Sequence, residues 1–284
     1  MCGIAGIMTC GGQPPVEERV VTAMRETLSH RGPNGGCTWV DEERRIGLGH
    51  RRLSIIDLAE TASQPMANED GRIHLVFNGE IYNHADLRAE LSTSGVHQWV
   101  TDHSDTETIV HGFEEWGIDC VHRLRGMFAM AIWDARERAL WLVRDRIGIK
   151  PLYYRVVGGK IAFASEIKAL LELPDTPRRV HEEALFHYLS FLTTPGTQTL
   201  FDGIQKLEPG TWLRAGMDGS VRVQRYWDVW DAACALGDMP DEAIADRILV
   251  ELRTSVRLRK LSDVPVGVFL SGGLDSSTNA ALFS

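Results

Sequence analysis

Cys2 stands directly behind the initiator methionine, in the segment Met1-Cys2-Gly3-Ile4-Ala5-Gly6-Ile7. A small second residue such as cysteine favours removal of Met1. A thiol and a free α-amine would then belong to one residue. The thiol can attack a carbonyl carbon, and the amine can take and return its proton, so nucleophile and base come as one unit. A cysteine in this position is unremarkable until downstream residues supply partners for the reaction. A second chemical feature lies near the other end, where the apolar run Val264-Pro265-Val266-Gly267-Val268-Phe269-Leu270 meets Ser271-Gly272-Gly273-Leu274-Asp275-Ser276-Ser277. A buried strand feeding a glycine loop and a helix start turns backbone N–H groups and the positive helix end toward an anion. No Gly-Lys-Ser/Thr follows, so this is not a Walker A loop.

The elements that must position these groups read as follows. Residues 1–8 form a short apolar strand. Val16, Val20, Met24 and Leu28 recur on one helix face. Ser29 to Gly36 is a polar loop. Strands follow at about 46–50 and 73–78. Asn83 is expected to cap a helix carrying Leu87 and Leu91, stopped by Gly95. Ser104 or Asp105 caps a second helix, with Ile109, Phe113 and Trp116 inward and Gly117 as its stop. Met127–Trp133 and Leu140–Val143 are strands joined by a polar turn. Residues 151–164 make a hairpin over Gly158-Gly159, and Ser165 caps a helix to about 173. A further helix covers about 181–191, and residues 211–227 form a hairpin over Asp218-Gly219. Hairpins alternating with helices, without repeated strand-helix-strand units, predict an α+β fold with antiparallel sheets.

Residues 228–240 are the expected linker. Beyond it a helix at about 241–260 holds Ile244, Ile248, Leu252 and Val256 on one face. The continuous apolar strand expected at 264–270, with its loop and helix, reads as the opening of a parallel α/β domain. A lone strand and two helices cannot cover both faces of a sheet, so the sequence is expected to be a fragment. Exposure of that apolar segment predicts poor solubility, relieved by deletion after about residue 240. No internal repeat or low-complexity segment is visible.

Composition fits a globular chain: 284 residues, 44% hydrophobic and 24% charged. A net charge of −9 argues against nucleic acid and anionic membranes as partners. No apolar run approaches the length of a membrane span, and no secretory signal is visible. Five cysteines, at 2, 10, 37, 120 and 234, form no CxxC pair or Cys/His cluster, so no metal ligand set is expected. Cys10, Cys37, Cys120 and Cys234 read as ordinary buried or half-buried thiols. The reducing cytoplasm fits best.

Several motifs occur together. Met1–Ile7, Arg31-Gly32-Pro33, Arg52-Leu53-Ser54-Ile55, Asn78-Gly79-Glu80-Ile81-Tyr82-Asn83 and Ser104-Asp105-Thr106-Glu107 resemble those of the class II glutamine amidotransferases. Arg144–Tyr153, Ala164–Leu170 and the Ser271–Ser277 loop narrow the likeness to the glutamine-dependent asparagine synthetases. The resemblance runs over essentially the whole chain and keeps the family's order. It implies a four-layer αββα N-terminal-nucleophile sandwich over residues 1–230. The start of an ATP-pyrophosphatase domain, truncated, would then occupy residues 241–284.

The resemblance also implies roles. Cys2 attacks the glutamine side-chain amide, releasing ammonia and leaving a thioester that water hydrolyses. A thiol near pKa ~8.5 is little ionised at neutral pH, and an α-amine near ~7.7–8.0 is matched to shuttle its proton. The Asn78 amide and the Gly79 N–H bind the oxyanion, glycine allowing close approach and unusual backbone angles. Losing one such donor typically costs about 3–4 kcal/mol of barrier. Arg52 binds the α-carboxylate, Asp105 the α-ammonium, and the Glu80 backbone touches glutamine as well. His30 and His50 are read as structural. Asn34 replaces the Asp that usually follows Arg-Gly-Pro, which alters the charge of that loop. Around ATP, Leu270 lines the adenine side, Ser271, Gly272, Gly273 and Ser276 cradle pyrophosphate, and Asp275 helps hold Mg²⁺. In the full enzyme, ATP and aspartate give β-aspartyl-AMP, which ammonia converts to asparagine. The chain alone is expected to supply only the glutaminase half, and a homodimer is left open. Two rivals are a class II amidotransferase with another acceptor and a catalytically idle module.

Overall fold

A computed structural model describes residues 1–231 and 239–284. The central part of the expected linker, with Cys234, lies outside the described residues. The strands are β1 (Gly3–Thr9), β2 (Gly35–Val40), β3 (Ile46–Arg52), β4 (Met66–Ala67), β5 (Ile73–Ile81), β6 (Gly126–Asp134), β7 (Ala139–Arg144), β8 (Tyr153–Val157), β9 (Lys160–Ala164), β10 (Gln205–Lys206), β11 (Thr211–Gly216) and β12 (Val221–Arg225). The helices are α1 (Glu18–Glu26), α2 (His84–Ser92), α3 (Asp105–Trp116), α4 (Cys120–Arg123), α5 (Ile167–Leu170), α6 (Glu182–Phe191), α7 (Asp241–Arg259) and α8 (Leu274–Phe283).

Two six-stranded sheets run in the orders β10-β8-β9-β1-β3-β2 and β12-β11-β7-β6-β5-β4, antiparallel throughout. Side chains alternate across a strand with period two. Ile4 and Met8 of β1 therefore share one core with Leu48, Val76, Ala131, Leu142 and Phe163, between the sheets. Ala5 and Ile7 face the other way, onto Val21, Met24 and Leu28 of the α1 region. In the second sheet Leu75 and Phe77 turn outward to Ile109, Val110 and Phe113 of α3. Helix, sheet, sheet and helix thus enclose three apolar layers, the expected αββα sandwich. The same parity puts Val76, Asn78 and Glu80 of β5 on its inner side, toward β1.

Several local expectations change. The strand β2 follows the polar loop directly and pairs with β3 from Gly35↔Arg52 onward; its glycines concealed it. Cys37 on this edge strand is exposed, whereas Cys10 and Cys120 are buried. Asn83 sits at the start of α2 but does not cap it. Its side chain bridges instead to the strand start opposite, accepting from Arg125 N–H at 2.8 Å and donating to Arg123 C=O at 3.0 Å. Ser165 likewise caps nothing: its Oγ accepts the Ile4 N–H at 3.0 Å, and α5 is a single turn behind Glu166. Ser104 does cap α3, its side chain accepting the Thr106 N–H at 3.2 Å. Gly117, with φ +57°, stops that helix.

The expected strand at 264–270 is absent. The segment is irregular, and Phe269 is 99% exposed. A strand needs a neighbour for its N–H and C=O groups, and none lies beside this one among the described residues. The parallel α/β opening is thus represented only by α7, an extended segment and α8. Asp263 ties this region to the sandwich. Its carboxylate accepts from Asp57 N–H and lies 2.6 Å from His103 Nε2, and its N–H donates to Ile55 C=O at 2.9 Å.

Candidate active site

Cys2 lies just before β1, where Gly3 pairs with Arg51 of β3. Its carbonyl accepts from Arg31 Nε at 2.9 Å, so the Arg31-Gly32-Pro33 loop holds the chain start. The Leu53 N–H lies 3.3 Å from Sγ. Gly32 permits this arrangement, since a Cβ there would fall 2.3 Å from the Arg51 carbonyl carbon. Burial pushes the Cys2 thiol above its usual pKa and outweighs the Leu53 hydrogen bond. The resting sulfur is therefore a protonated thiol at neutral pH and needs a base. Met1 carries the α-amine, which donates to Arg31 C=O at 3.2 Å, and burial lowers its pKa. The shift eases loss of the amine's proton, the direction a proton-accepting α-amine needs.

Across from Cys2, Asn78 is fully buried, and neither its Nδ2 nor its Oδ1 has a hydrogen-bond partner among the described residues. A buried amide left unpaired costs about 1–3 kcal/mol, so its retention at a pocket wall points to a ligand that pairs it. Gly79 follows. The odd residues of β5 turn their N–H groups away from β6: Phe77 donates to Gln64 Oε1 at 2.6 Å and Ile81 to Asp105 Oδ2 at 3.0 Å. By strand parity the Gly79 N–H points the same way, along the edge that β4 leaves uncovered. Unusual backbone angles are not the reason for this glycine, whose φ is not positive. Space is the reason: a Cβ would lie 2.2 Å from the Met127 carbonyl oxygen and 2.8 Å from Phe128 Cα.

Arg52, at the end of β3, donates to Ala59 C=O at 2.7 Å and to Asp57 C=O. These bonds fix its guanidinium and leave further donors of the fork for an anion. Asp105 opens α3 and is 5% exposed. Burial raises its pKa to about 6 against the Ile81 and Thr106 hydrogen bonds. Burial also raises Glu80, with the Lys150 charge opposing it. Cys2, Arg52, Asn78, Gly79, Glu80 and Asp105 line one pocket. The six residues the sequence nominated around glutamine thus converge.

Lys150 lines the same pocket and was not singled out beforehand. Its signal lay in the Arg144–Tyr153 motif. Asp145 collects the N–H groups of Phe128, Ile147, Ile149 and Lys150 at 2.9–3.2 Å, while Arg144 takes the carbonyls of Lys150, Leu207 and Gly148. The two residues bend this loop so that Lys150 reaches the pocket, where burial lowers its pKa. Gln64 was also missed; it joins Phe77 N–H to Thr106 Oγ1, locking β5 to α3.

The two histidines fall as expected. His50 is buried, its pKa pushed down to about 3, and its Nε2 lies 3.2 Å from the Phe77 carbonyl. A neutral ring donating there braces β5 one residue before Asn78. His30 meets Glu166 at 3.0 Å on the surface. Asn34 keeps the loop closed without charge, its Oδ1 accepting the Ser54 N–H at 3.1 Å.

Leu270, Ser271, Gly272, Gly273, Asp275 and Ser276 do not line this pocket; they lie at the start of α8. Ser271 and Ser276 hydroxyls meet at 2.9 Å, and Gly272 has φ +83° with open space where a Cβ would be.

Comparisons with known proteins agree with this geometry. Residues 1–227 match the family described as a glutamine amidotransferase domain, and residues 247–284 match the asparagine synthase family. Asparagine synthetase [glutamine-hydrolyzing] 3 of Bacillus subtilis is 39% identical over 99% of this chain and 45% of its own length. Asparagine synthetase [glutamine-hydrolyzing] 1 of the same organism is 37% identical over 98% and 43%. Amidase chry2 of Gibberella zeae is 34% identical over 100% and 43%. The chain thus spans less than half the length of these relatives. The glutamine phosphoribosylpyrophosphate amidotransferase of B. subtilis shares the fold, with a TM-score of 0.57 at 18% identity over 80% of this chain and 49% of that one. With residues 1–227 of 284 matched and the sandwich in place, the chain belongs to the glutamine amidotransferase family.

Proposed function

We propose that this chain hydrolyses the side-chain amide of glutamine, with Cys2 as nucleophile once Met1 is removed. The observation that carries the reading is the convergence of a half-buried thiol and an unpartnered Asn78 amide in a pocket lined by Arg52 and Asp105. The freed Cys2 amine takes the thiol proton as Sγ attacks the glutamine Cδ. The tetrahedral oxyanion accepts from Asn78 Nδ2 and the Gly79 N–H, donors already in place and therefore without reorganisation cost. The amine returns the proton to departing ammonia, and water then cleaves the thioester to glutamate. Arg52 binds the α-carboxylate, Asp105 the α-ammonium, and the Glu80 backbone borders the substrate.

We assign residues 1–230 to this glutaminase domain and 241–284 to the start of a second domain. The end of β12 at Arg225 and the resumption of family similarity at 247 support the division. In a longer protein of this kind the ammonia would attack β-aspartyl-AMP to give asparagine. The Ser271–Ser277 loop suits the phosphate end of ATP in its donor chemistry: hydroxyls, a glycine at φ +83° and the N-terminus of α8. Asp275 in the first turn could contribute one oxygen to Mg²⁺. Bound ATP would supply the adenylyl group that activates the aspartate carboxylate, with pyrophosphate as the leaving group.

The test compares wild type with Cys2→Ala for glutamate release and for labelling by a glutamine-like electrophile read by intact mass. Wild type lacking Met1 should release glutamate and gain one adduct on Cys2, and Cys2→Ala should do neither while unfolding at an unchanged temperature. Glutamate release by the variant, or by protein that retains Met1, refutes the mechanism.

A further inference from the structure

Glu69, His97, His111 and Glu114 meet on the far side of α3, and none of them lines the Cys2 pocket. They come from three separate segments: the turn after β4, the loop between α2 and α3, and α3 itself. On the helix His111 and Glu114 are three residues apart and so share a face. Sequence spacing concealed the cluster, because an expectation of metal ligands looks for cysteines or for short-range Cys/His pairs.

The ligand atoms all lie within 4.8 Å of one another. Glu114 Oε2 is 2.9 Å from His111 Nδ1 and 3.5 Å from His97 Nδ1, and Glu69 Oε2 is 4.0 Å from His111 Nδ1. Four N and O ligands about 2.0–2.1 Å from a tetrahedral centre sit about 3.3 Å apart. Separations of up to 4.8 Å would have to shrink by up to about 1.5 Å to close such a shell.

His97 is the independent sign of a ligand. Its side chain is 4% exposed, its Nε2 has no hydrogen-bond partner among the described residues, and its Nδ1 meets Glu114 Oε2 at 3.5 Å. An imidazole so deeply buried, with one nitrogen unpartnered and the other only 3.5 Å from a carboxylate, is one that a cation between Nδ1 and Glu114 would hold more firmly. The surroundings fit as well. The outer oxygens are already held, Glu114 Oε1 by Asn68 Nδ2 at 2.6 Å and Glu69 Oε1 by the Gln98 N–H. The far ring nitrogens look toward carboxylates, His111 Nε2 toward Glu107 at 3.8 Å and His97 Nε2 toward Glu115 at 3.9 Å. Metal-bound histidines characteristically turn their second nitrogen to such a group. Trp99 meets His111 edge-on at 4.6 Å and closes one side.

We propose that Glu69, His97, His111 and Glu114 form a structural site for a divalent cation of the zinc type. Two imidazoles favour Zn²⁺ over Mg²⁺ or Ca²⁺, and two carboxylates neutralise it. The ion would clamp the 93–104 loop and the 68–71 turn to the helix that carries Asp105.

The test uses the chain without a polyhistidine tag, stripped with a chelator and titrated with Co²⁺ alone, then Zn²⁺ alone. Wild type should bind one equivalent, develop the intense visible bands of four-coordinate Co²⁺, lose them to Zn²⁺ and melt at a higher temperature with metal. His97→Gln and Glu114→Gln should lose the bands and the thermal shift. Glu69→Gln, on a surface turn where folding is not at risk, should weaken binding at least about tenfold, the size typical even of outer-shell changes. His187→Gln on α6 should bind as wild type does. Absence of stoichiometric binding, equal binding by Glu69→Gln, or a near-ultraviolet sulfur-to-cobalt band marking cysteine ligation overturns the site.

Discussion

On the proposed role of Asp105, its replacement by Asn should separate stability from substrate binding. The carboxyl is buried at the start of α3, and its pKa is raised from 3.8 to about 6, chiefly by that burial. At 1.36 kcal/mol per pKa unit, holding this charge in the folded state at neutral pH costs about 3 kcal/mol. The sign follows from the direction. A carboxyl whose folded pKa is raised destabilises the protein fully above about 6, and the penalty fades as pH falls toward 3.8. Asn keeps an oxygen to accept the Ile81 N–H, which Asp105 Oδ2 now takes at 3.0 Å, without the charge. Asp105→Asn should therefore melt roughly 6–12 °C higher than wild type near pH 8, at the 2–4 °C per kcal/mol expected for this chain length. That gain should shrink below about pH 6 and vanish near 3.8. Glutamine binding should weaken, since a charge-assisted hydrogen bond to the α-ammonium is worth about 1.5–3 kcal/mol, or roughly ten- to hundredfold in KM. Thermal melts across pH and steady-state glutaminase kinetics measure both. A variant less stable than wild type near pH 8, or one with unchanged KM, refutes the reasoning.

The other expectations concern neighbouring parts. Asn78→Ala should lower kcat by roughly 10²–10³, as loss of one oxyanion donor does, without lowering the melting temperature, because the amide it removes is buried without a partner; an effect confined to KM would count against the oxyanion role. Gly79→Ala should cost at least about 1–3 kcal/mol of stability, since the new Cβ would meet backbone at 2.2 Å rather than a side chain that can move; a denaturant melt unchanged from wild type would contradict the packing. Asp263 raises the pKa of His103 above its ordinary 6.5, so their pairing contributes fully below 6.5 and is lost as pH climbs through the raised value. Hydrogen exchange across 261–284 should accelerate over that range in wild type and show no such step in His103→Gln.

The sequence made the sandwich legible because its period-two strands and capped helices carry their own signals. β1, β5 and β6 are runs whose alternate residues sort between two cores, and Ser104 and Gly117 bracket α3 by ordinary helix chemistry. What escaped was set by tertiary partners. Asn83 and Ser165 have the composition of helix caps, but each found a strand to bond, and local preference yielded to it. The run 264–270 has the composition of a buried strand, yet it forms none without neighbours to pair it. The pocket residues Cys2, Arg52, Asn78, Gly79, Glu80 and Asp105 were all nominated from motifs, whereas Lys150 depends on a loop folded around Asp145. Gln64 carries no motif at all. Its role rests on two hydrogen bonds across a layer boundary, which no spacing along the chain encodes.

The pocket's charges explain why an amino acid, rather than a simple amide, should be its substrate. Burial works against three ionised groups at once: it raises Asp105 and Glu80 and lowers Lys150. Arg52, by contrast, is fixed by backbone carbonyls that carry no charge to neutralise it. A zwitterion brings one positive and one negative end into this arrangement, so its ammonium offsets the cost of ionised Asp105 and its carboxylate answers Arg52. An uncharged amide of the same length would fill the space and leave both costs in place. Burial raises the Cys2 thiol, and on the proposed mechanism the neutral Asn78 amide would gain its partner when an oxyanion forms. On the proposed reading, binding would draw on the ends of glutamine and catalysis on its side chain. On this argument, removing either end group should raise KM by far more than it lowers kcat.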